Sequence, residues 1–283
     1  MSEAETTPAF VALTVADKEA PPGPSFFRGE WVSIWAWRVA IIVVGLSAWQ
    51  YASGRLIKTF WVSRPSDIWQ QLVEWVVTGD LWIHLQATLI ETVMGFAFGA
   101  VAGIVFGLAL GLNRRLAAVV DPFIVALYSL PKIALAPLFI LWFGVGLASK
   151  VVLATFVVFF LVFYNTYAGT LAVEAELVDV LRLMGASRGQ VVRKVILPSA
   201  LIWIFTGMKS SVPYALIGAV VGEMMASNKG LGYLIQAAAG QYDTGGVFAA
   251  LFVLMIIATG LHELLKQSER VMLRWREEGH GRN

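Results

Sequence analysis

The run LQATLIETVMGFAFGAVAGIVFGLALGL, residues 85–112, decides what kind of protein this is. It contains a single charged side chain, Glu91. About 20 mostly apolar residues are enough to cross a bilayer as a helix, and this run is longer. Glycines recur at positions 95, 99, 103, 107 and 111, a strict period of four. Positions four apart share one face of a helix, so these glycines form a stripe that a second helix can approach closely. Glycine is common in membrane helices, which explains one or two of the five but not the period.

The rest of the chain has the same character. Of its 283 residues 58% are hydrophobic and 14% charged, with a mean hydropathy of +0.72. A soluble chain carries roughly 25% charged residues, so this composition describes an integral membrane protein. The absence of cysteine excludes disulfides, thiolate metal sites and cysteine nucleophiles. Three scattered histidines, His84, His262 and His280, make no metal cluster. A net charge of +2 does not suggest nucleic acid. The 11 tryptophans suit helix ends at the headgroup level.

Working outward, apolar runs at 35–53, 119–143, 150–171, 196–225 and 247–265 predict five further spans. Pro131 and Pro137 should break the third span. Residues 60–84 mix Trp and Val with Asp67, Gln70, Gln71, Glu74 and Asp80, and read as an amphipathic surface helix. Residues 1–30, rich in Ser, Glu, Thr and Pro, read as a disordered cytoplasmic tail without a signal peptide. The membrane domain is then 31–270, and 271–283 a second cytoplasmic tail. Six spans put both tails on one side. Fourteen basic residues fall on the side of the tails and five (Arg55, Lys58, Arg64, Lys150, Lys229) on the other, with Lys132 and Lys209 inside spans. The positive-inside rule places both termini in the cytoplasm.

The longest cytoplasmic connection is AVEAELVDVLRLMGASRGQVVRKV, residues 172–195, followed by ILP. Leu177, Val180, Leu181 and Met184 fall at helical spacing. Gly185 should end that helix, and Ser187 should cap a second one. Periodicity alone also fits two amphipathic helices lying on the bilayer surface.

The loop resembles the signature of the membrane subunits of ABC importers: E-A-A, three residues, G, nine residues, I, one residue, L-P. Asp179 keeps the acidic charge of the leading Glu; Gly185, Leu197 and Pro198 keep their spacing. Val180 and Leu181 replace the two alanines, and Val195 stands where Ile is usual. LPKIALAPLFILWFGVG (130–146) and GEMMASNKGLGYL (222–234) resemble the taurine, alkanesulfonate, nitrate and bicarbonate branch. The likeness covers roughly 65–265.

The resemblance implies an all-α, polytopic permease of the type I, MetI-like fold with about six transmembrane helices, in a bacterial inner membrane. Two copies would form one path between two cytoplasmic ABC ATPase subunits and an extracytoplasmic solute-binding protein. Within the coupling loop, 172–198, Asp179 to Met184, with Val180, Leu181 and Arg182 among them, would face the ATPase, and Gly185, with Ala186 and Ser187 after it, would permit the bend. Leu197 and Pro198 would lead into span five. No Gly-Lys dipeptide occurs, so no phosphate-binding loop is present. By the likeness, ATP and Mg²⁺ are held by the partner, and this chain needs no cofactor and no catalytic residue.

Ionisable groups inside spans are functional hypotheses by default. Lys132, Asn165, Lys209 and Glu223 are the candidates for the translocation path. A lysine beside broken backbone can attract an anion such as a sulfonate, nitrate, bicarbonate or carboxylate. Alternatively, Lys132 and Lys209 pair with Glu91 or Glu223 as structural ion pairs. His84 reads as an interfacial side chain, and Gly230 and Gly232 as a turn after span five. A polytopic enzyme would need a constellation that the sequence lacks, such as D-x-x-D or H-x-x-x-H. A secondary transporter would predict an internal repeat, and none is visible.

Overall fold

The computed structural model describes residues 24–273, all helical apart from short connections. The expected tail before residue 24 and the chain beyond 273 lie outside the described residues. Two units are present, residues 1–51 and 52–283. The described part of the first is α1 (Pro24–Ala52), whose stretch Ser33–Ala52 is long and apolar enough to span. Within it the Arg38 guanidinium lies 5.1 Å from the centre of the Trp35 ring, an interfacial pairing.

The second unit begins with a tied segment. Ser53 Oγ donates to the Val62 carbonyl at 2.5 Å, and Arg64 Nε donates back to the Ser53 carbonyl at 3.3 Å. α2 (Pro65–Thr78) follows, shorter than the amphipathic helix expected over 60–84. Pro65 at its start and Gly79 at its end bound it, and the remainder joins α3 (Asp80–Gly111). At 32 residues α3 is about 48 Å long, well beyond the hydrocarbon thickness.

α6 (Leu147–Leu171) is the central helix, and α3 packs along its whole length. The glycine stripe is the reason. A Cβ at Gly95, Gly99, Gly103, Gly107 or Gly111 would collide respectively with Ala154, Val158, Val162, Thr166 and Thr170. Those partners also recur every four residues, so two rows of matching period interlock. α9 (Leu197–Ala226) approaches α6 as closely, with Gly207, Gly218 and Gly222 admitting Asn165, Ala154 and Lys150. A Cβ at Gly103 would sit 2.9 Å from both the Phe159 carbonyl oxygen and the Phe163 nitrogen, backbone that cannot step aside. Gly103→Val is therefore expected to destabilise the bundle by about 1–3 kcal/mol, read as a lowered Tm in detergent. Val101→Leu, on the exposed face of the same helix, should leave Tm unchanged.

The proline-broken span is confirmed. α4 (Arg114–Ser129), capped by Asn113 accepting from the Leu116 amide at 3.2 Å, stops before Pro131. A 3₁₀ turn (Lys132–Leu135) leads to α5 (Ala136–Phe143), and the two halves are bent by 79°. Counting the pair as one crossing, the described residues supply six candidate spans.

α7 (Ala175–Leu183) and α8 (Arg188–Val191) form the loop after α6. Pro198 does not bend the chain into α9. A π-helical turn (Val192–Ile196) joins α8 to α9 in one run from Arg188 to Ala226. Proline lacks the N–H for an i−4 bond and crowds that carbonyl; widening the turn accommodates both. Beyond α9 the expected turn includes Gly230, but Gly232 already belongs to a short helix, α10 (Leu231–Gly240), and α11 (Thr244–Met272) completes the bundle. Leu81, Leu216, Leu231, Ile235 and Leu254 gather α3, α9, α10 and α11 around one core, with Trp75 of α2 against it.

Candidate functional site

The polar side chains of the bundle fall into three groups. The first is the α7–α8 loop. Gly185 ends α7 at φ +84°, a left-handed conformation that disfavours any Cβ. The Gly185 amide donates to the Arg182 carbonyl at 2.9 Å and the Ala186 amide to the Leu181 carbonyl at 3.0 Å. This pair of bonds is a Schellman motif. Ser187 then caps α8 reciprocally with Gln190: the Ser187 amide donates to Gln190 Oε1 at 2.8 Å, and the Gln190 amide to Ser187 Oγ at 3.4 Å. Asp179 and Arg182 form an exposed pair at 3.7 Å. The outermost side chains are apolar: Leu183 is 89% exposed and Met184 77%.

The second group surrounds the break between α4 and α5. Lys132 Nζ donates to the Tyr128 carbonyl at 2.7 Å and lies 4.5 Å from the centre of the Tyr128 ring and 5.2 Å from that of Phe160. Tyr128 stacks on Tyr164 at 5.2 Å. No carboxylate pairs with Lys132 among the described residues. Asn165, next along α6, donates to the Leu161 carbonyl at 2.8 Å and packs on Gly207.

The third group, at the end of the bundle opposite the α7–α8 loop, was largely missed by the sequence reading. Lys150, expected at the outer edge of span four among the external cations, is buried and donates to Glu91 Oε1 at 2.6 Å and to Ser227 Oγ at 2.8 Å. Ser227 Oγ in turn donates to the Lys229 carbonyl at 2.6 Å. Thr88 Oγ1 donates to Glu223 Oε1 at 2.7 Å and accepts from the Leu231 amide at 2.8 Å. The Gly232 amide reaches Glu223 Oε2 at 2.7 Å, and the Gly230 amide reaches His84 Nδ1 at 3.0 Å. His84 also stacks on Tyr233 at 5.6 Å. The 227–232 turn is thereby latched to α3 and α6. Gly230, at φ +110°, leaves no room for a Cβ beside the Glu223 carboxyl. The clues in the sequence were Glu91 and Glu223, carboxylates in apolar runs that each demand a partner.

Lys209, the remaining path candidate, pairs with Glu269 of α11 at 2.7 Å. The four candidates are therefore not gathered in one place. Lys132 stands at the break, Asn165 at the α6–α9 contact, Lys209 against α11 and Glu223 in the latch. The alternative pairings of Lys132 and Lys209 with Glu91 or Glu223 are replaced by Lys150–Glu91 and Lys209–Glu269. Among the described residues no three His, Cys, Asp or Glu side chains converge to hold a metal ion.

Known proteins share this architecture. The putative aliphatic sulfonates transport permease protein SsuC of Bacillus subtilis is 33% identical over 87% of this chain and 90% of its own. The formylaminopyrimidine transport permease protein ThiX of Halalkalibacterium halodurans is 33% identical over 81% and 92%. In fold, the chain resembles a subunit of the MetNI methionine ABC transporter in an inward-facing conformation. That match has a TM-score of 0.57 and 23% identity over 71% of this chain and 95% of the other. Residues 99–271 match the family described as the binding-protein-dependent transport system inner membrane component. The chain belongs to that family and is a membrane-spanning permease subunit of an ABC importer.

Proposed function

We propose that this permease imports a small organic oxyanion, such as a sulfonate or carboxylate, and that Lys132 is its intramembrane contact. The observation that carries this reading is a lysine without a carboxylate partner at the break of a span. Irregular backbone at membrane depth is tolerated where it lines a cavity or is buried in protein, and an unpaired ammonium there draws negative charge. SsuC, named for aliphatic sulfonates, is similar across most of this chain. The stacked Tyr128 and Tyr164 rings favour a second reading, a flat heteroaromatic solute, as the name of ThiX would suggest.

The remaining assembly follows from the same reading. Two copies of the chain enclose one path, since six spans make half of it. An external binding protein delivers the solute, and both termini lie in the cytoplasm with most of the basic residues. The α7–α8 loop docks on a cytoplasmic ATPase subunit, where ATP and Mg²⁺ are bound. There Asp179, Val180, Leu181 and Arg182 supply the helix, Gly185, Ala186 and Ser187 the bend, and Leu197 and Pro198 the link to α9.

Uptake into proteoliposomes holding the permease, its ATPase and its binding protein tests the substrate class. An alkanesulfonate is expected to accumulate, and Lys132→Met to slow it about tenfold, the loss of one charge-assisted contact. Equal alkanesulfonate uptake by wild type and Lys132→Met would remove Lys132 as the contact, and no uptake of a sulfonate or carboxylate would remove the anion reading. Accumulation of a pyrimidine alone would select the second.

A further inference from the structure

A recess of about 550 Å³ lies between α9 and α11, within the size range of sites that hold small ligands. Lys209, Ser210, His262, Lys266, Glu269 and Arg270 line it. Three cations thus face one carboxylate. Glu269 is occupied by Lys209, whose Nζ lies 2.7 and 2.9 Å from its two oxygens. Lys266 touches Glu263 at 3.4 Å, a partly exposed pair one helical turn apart, and such pairs hold charge weakly. Arg270, His262 and Ser210 have no hydrogen bond or ion pair among the described residues. The guanidinium fork, an imidazole and a hydroxyl therefore open on the same space beside an ammonium held only by the weak Glu263 contact, while the one lining carboxylate is taken by Lys209.

The depth of the recess names the source of the anion. From Thr244 to His262 α11 carries no Asp, Glu, Lys or Arg, a run of about 28 Å. The hydrocarbon core is about 30 Å thick, so Lys266 and Arg270 stand at the headgroup level. Toward the middle of the bundle, on the same two helix faces, Ile217 and Met255 are 41% and 56% exposed and offer an apolar strip for an acyl chain.

We propose that this recess binds an oxyanionic group, supplied by the phosphate of an anionic phospholipid. A free oxyanion would be a second source of the same chemistry. Arg270 grips two oxygens with its planar fork, Lys266 adds a point charge, and Ser210 and His262 can donate. The neutral Lys209–Glu269 pair forms the floor. Basic recesses between membrane helices at a cytoplasmic surface suit such headgroups.

The test uses the full chain in a neutral detergent, titrated separately with phosphatidylglycerol, phosphatidylcholine and sodium sulfate, with tryptophan fluorescence and Tm as readouts. Phosphatidylglycerol is expected to bind and raise Tm, and phosphatidylcholine to do neither. Lys266→Gln combined with Arg270→Gln should weaken phosphatidylglycerol binding about 30-fold, at about 1 kcal/mol per cation. Lys58→Gln, a cation outside the recess, should leave it unchanged. Stabilisation by sulfate that the double variant abolishes would keep the site and assign it to a free anion. Equal phosphatidylglycerol binding by wild type and the double variant, with no response to sulfate, would overturn the proposal. The double variant leaves Lys132 intact, so a sulfate response that it retains belongs to the transport path and not to the recess.

Discussion

Lys150→Met is expected to lower stability by about 3–5 kcal/mol, the loss incurred when a buried ion pair forfeits one partner. Lys150 and Glu91 are 5% and 2% exposed and meet at 2.6 Å. Methionine fills much of the same space, so the penalty arises from the stranded Glu91 carboxylate rather than from a cavity. Combining it with Glu91→Leu should restore most of the loss, because a buried pair replaced by apolar side chains is often neutral. The single variant also removes a donor from Ser227, the residue that ties the 227–232 turn to α6. Trypsin should then cleave after Lys229 in the single variant faster than in wild type. The checks are Tm in detergent and the tryptic rate. A Tm equal to that of wild type would mean that the pair carries no structural weight.

The second large effect is at the far end of the bundle. Replacing Leu183 and Met184 together by glutamate is expected to reduce ATP-driven uptake at least 30-fold, the effect of removing a hot spot of about 2 kcal/mol. Both side chains are among the most exposed apolar groups of the described residues. Tm should therefore stay within experimental error, since surface changes away from buried networks rarely exceed about 0.5 kcal/mol. Co-purification with the ATPase would fall in parallel with uptake. Unchanged co-purification and unchanged uptake would place the coupling contact elsewhere. A backbone variant at Gly185 is the less clean experiment, because strain at φ +84° acts on the loop as well as on the contact.

The two predictions differ in how far each could be read from the amino-acid sequence. The α7–α8 loop was legible almost to the residue. Apolar periodicity, a glycine stop and a Ser187 cap are short-range devices, each realised within about five residues by the Schellman bonds and the capping box. The latch was not legible. Its members lie at 84–91, 150 and 223–232, and the bond between Lys150 and Glu91 spans 59 positions. Lys150 resembled an external cation at the edge of a span because it stands three places into its helix. A turn after α9 was expected, but not α10, a helix of only ten residues.

Sequence alone determined that the chain crosses a membrane, roughly where it does so, which span is broken, and where two helices touch. These are properties of composition and period: apolar length must match the bilayer, and a glycine every fourth residue leaves one face of α3 open along its length. The tertiary structure alone decided which cation answers which carboxylate. Lys150 rather than Lys132 or Lys209 neutralises Glu91, and Lys209 meets Glu269 instead. Ion pairing depends on distances of a few ångströms between helices, and those distances exist only after α3, α6, α9 and α11 have packed. Lys132 is left without a carboxylate among the described residues by that packing.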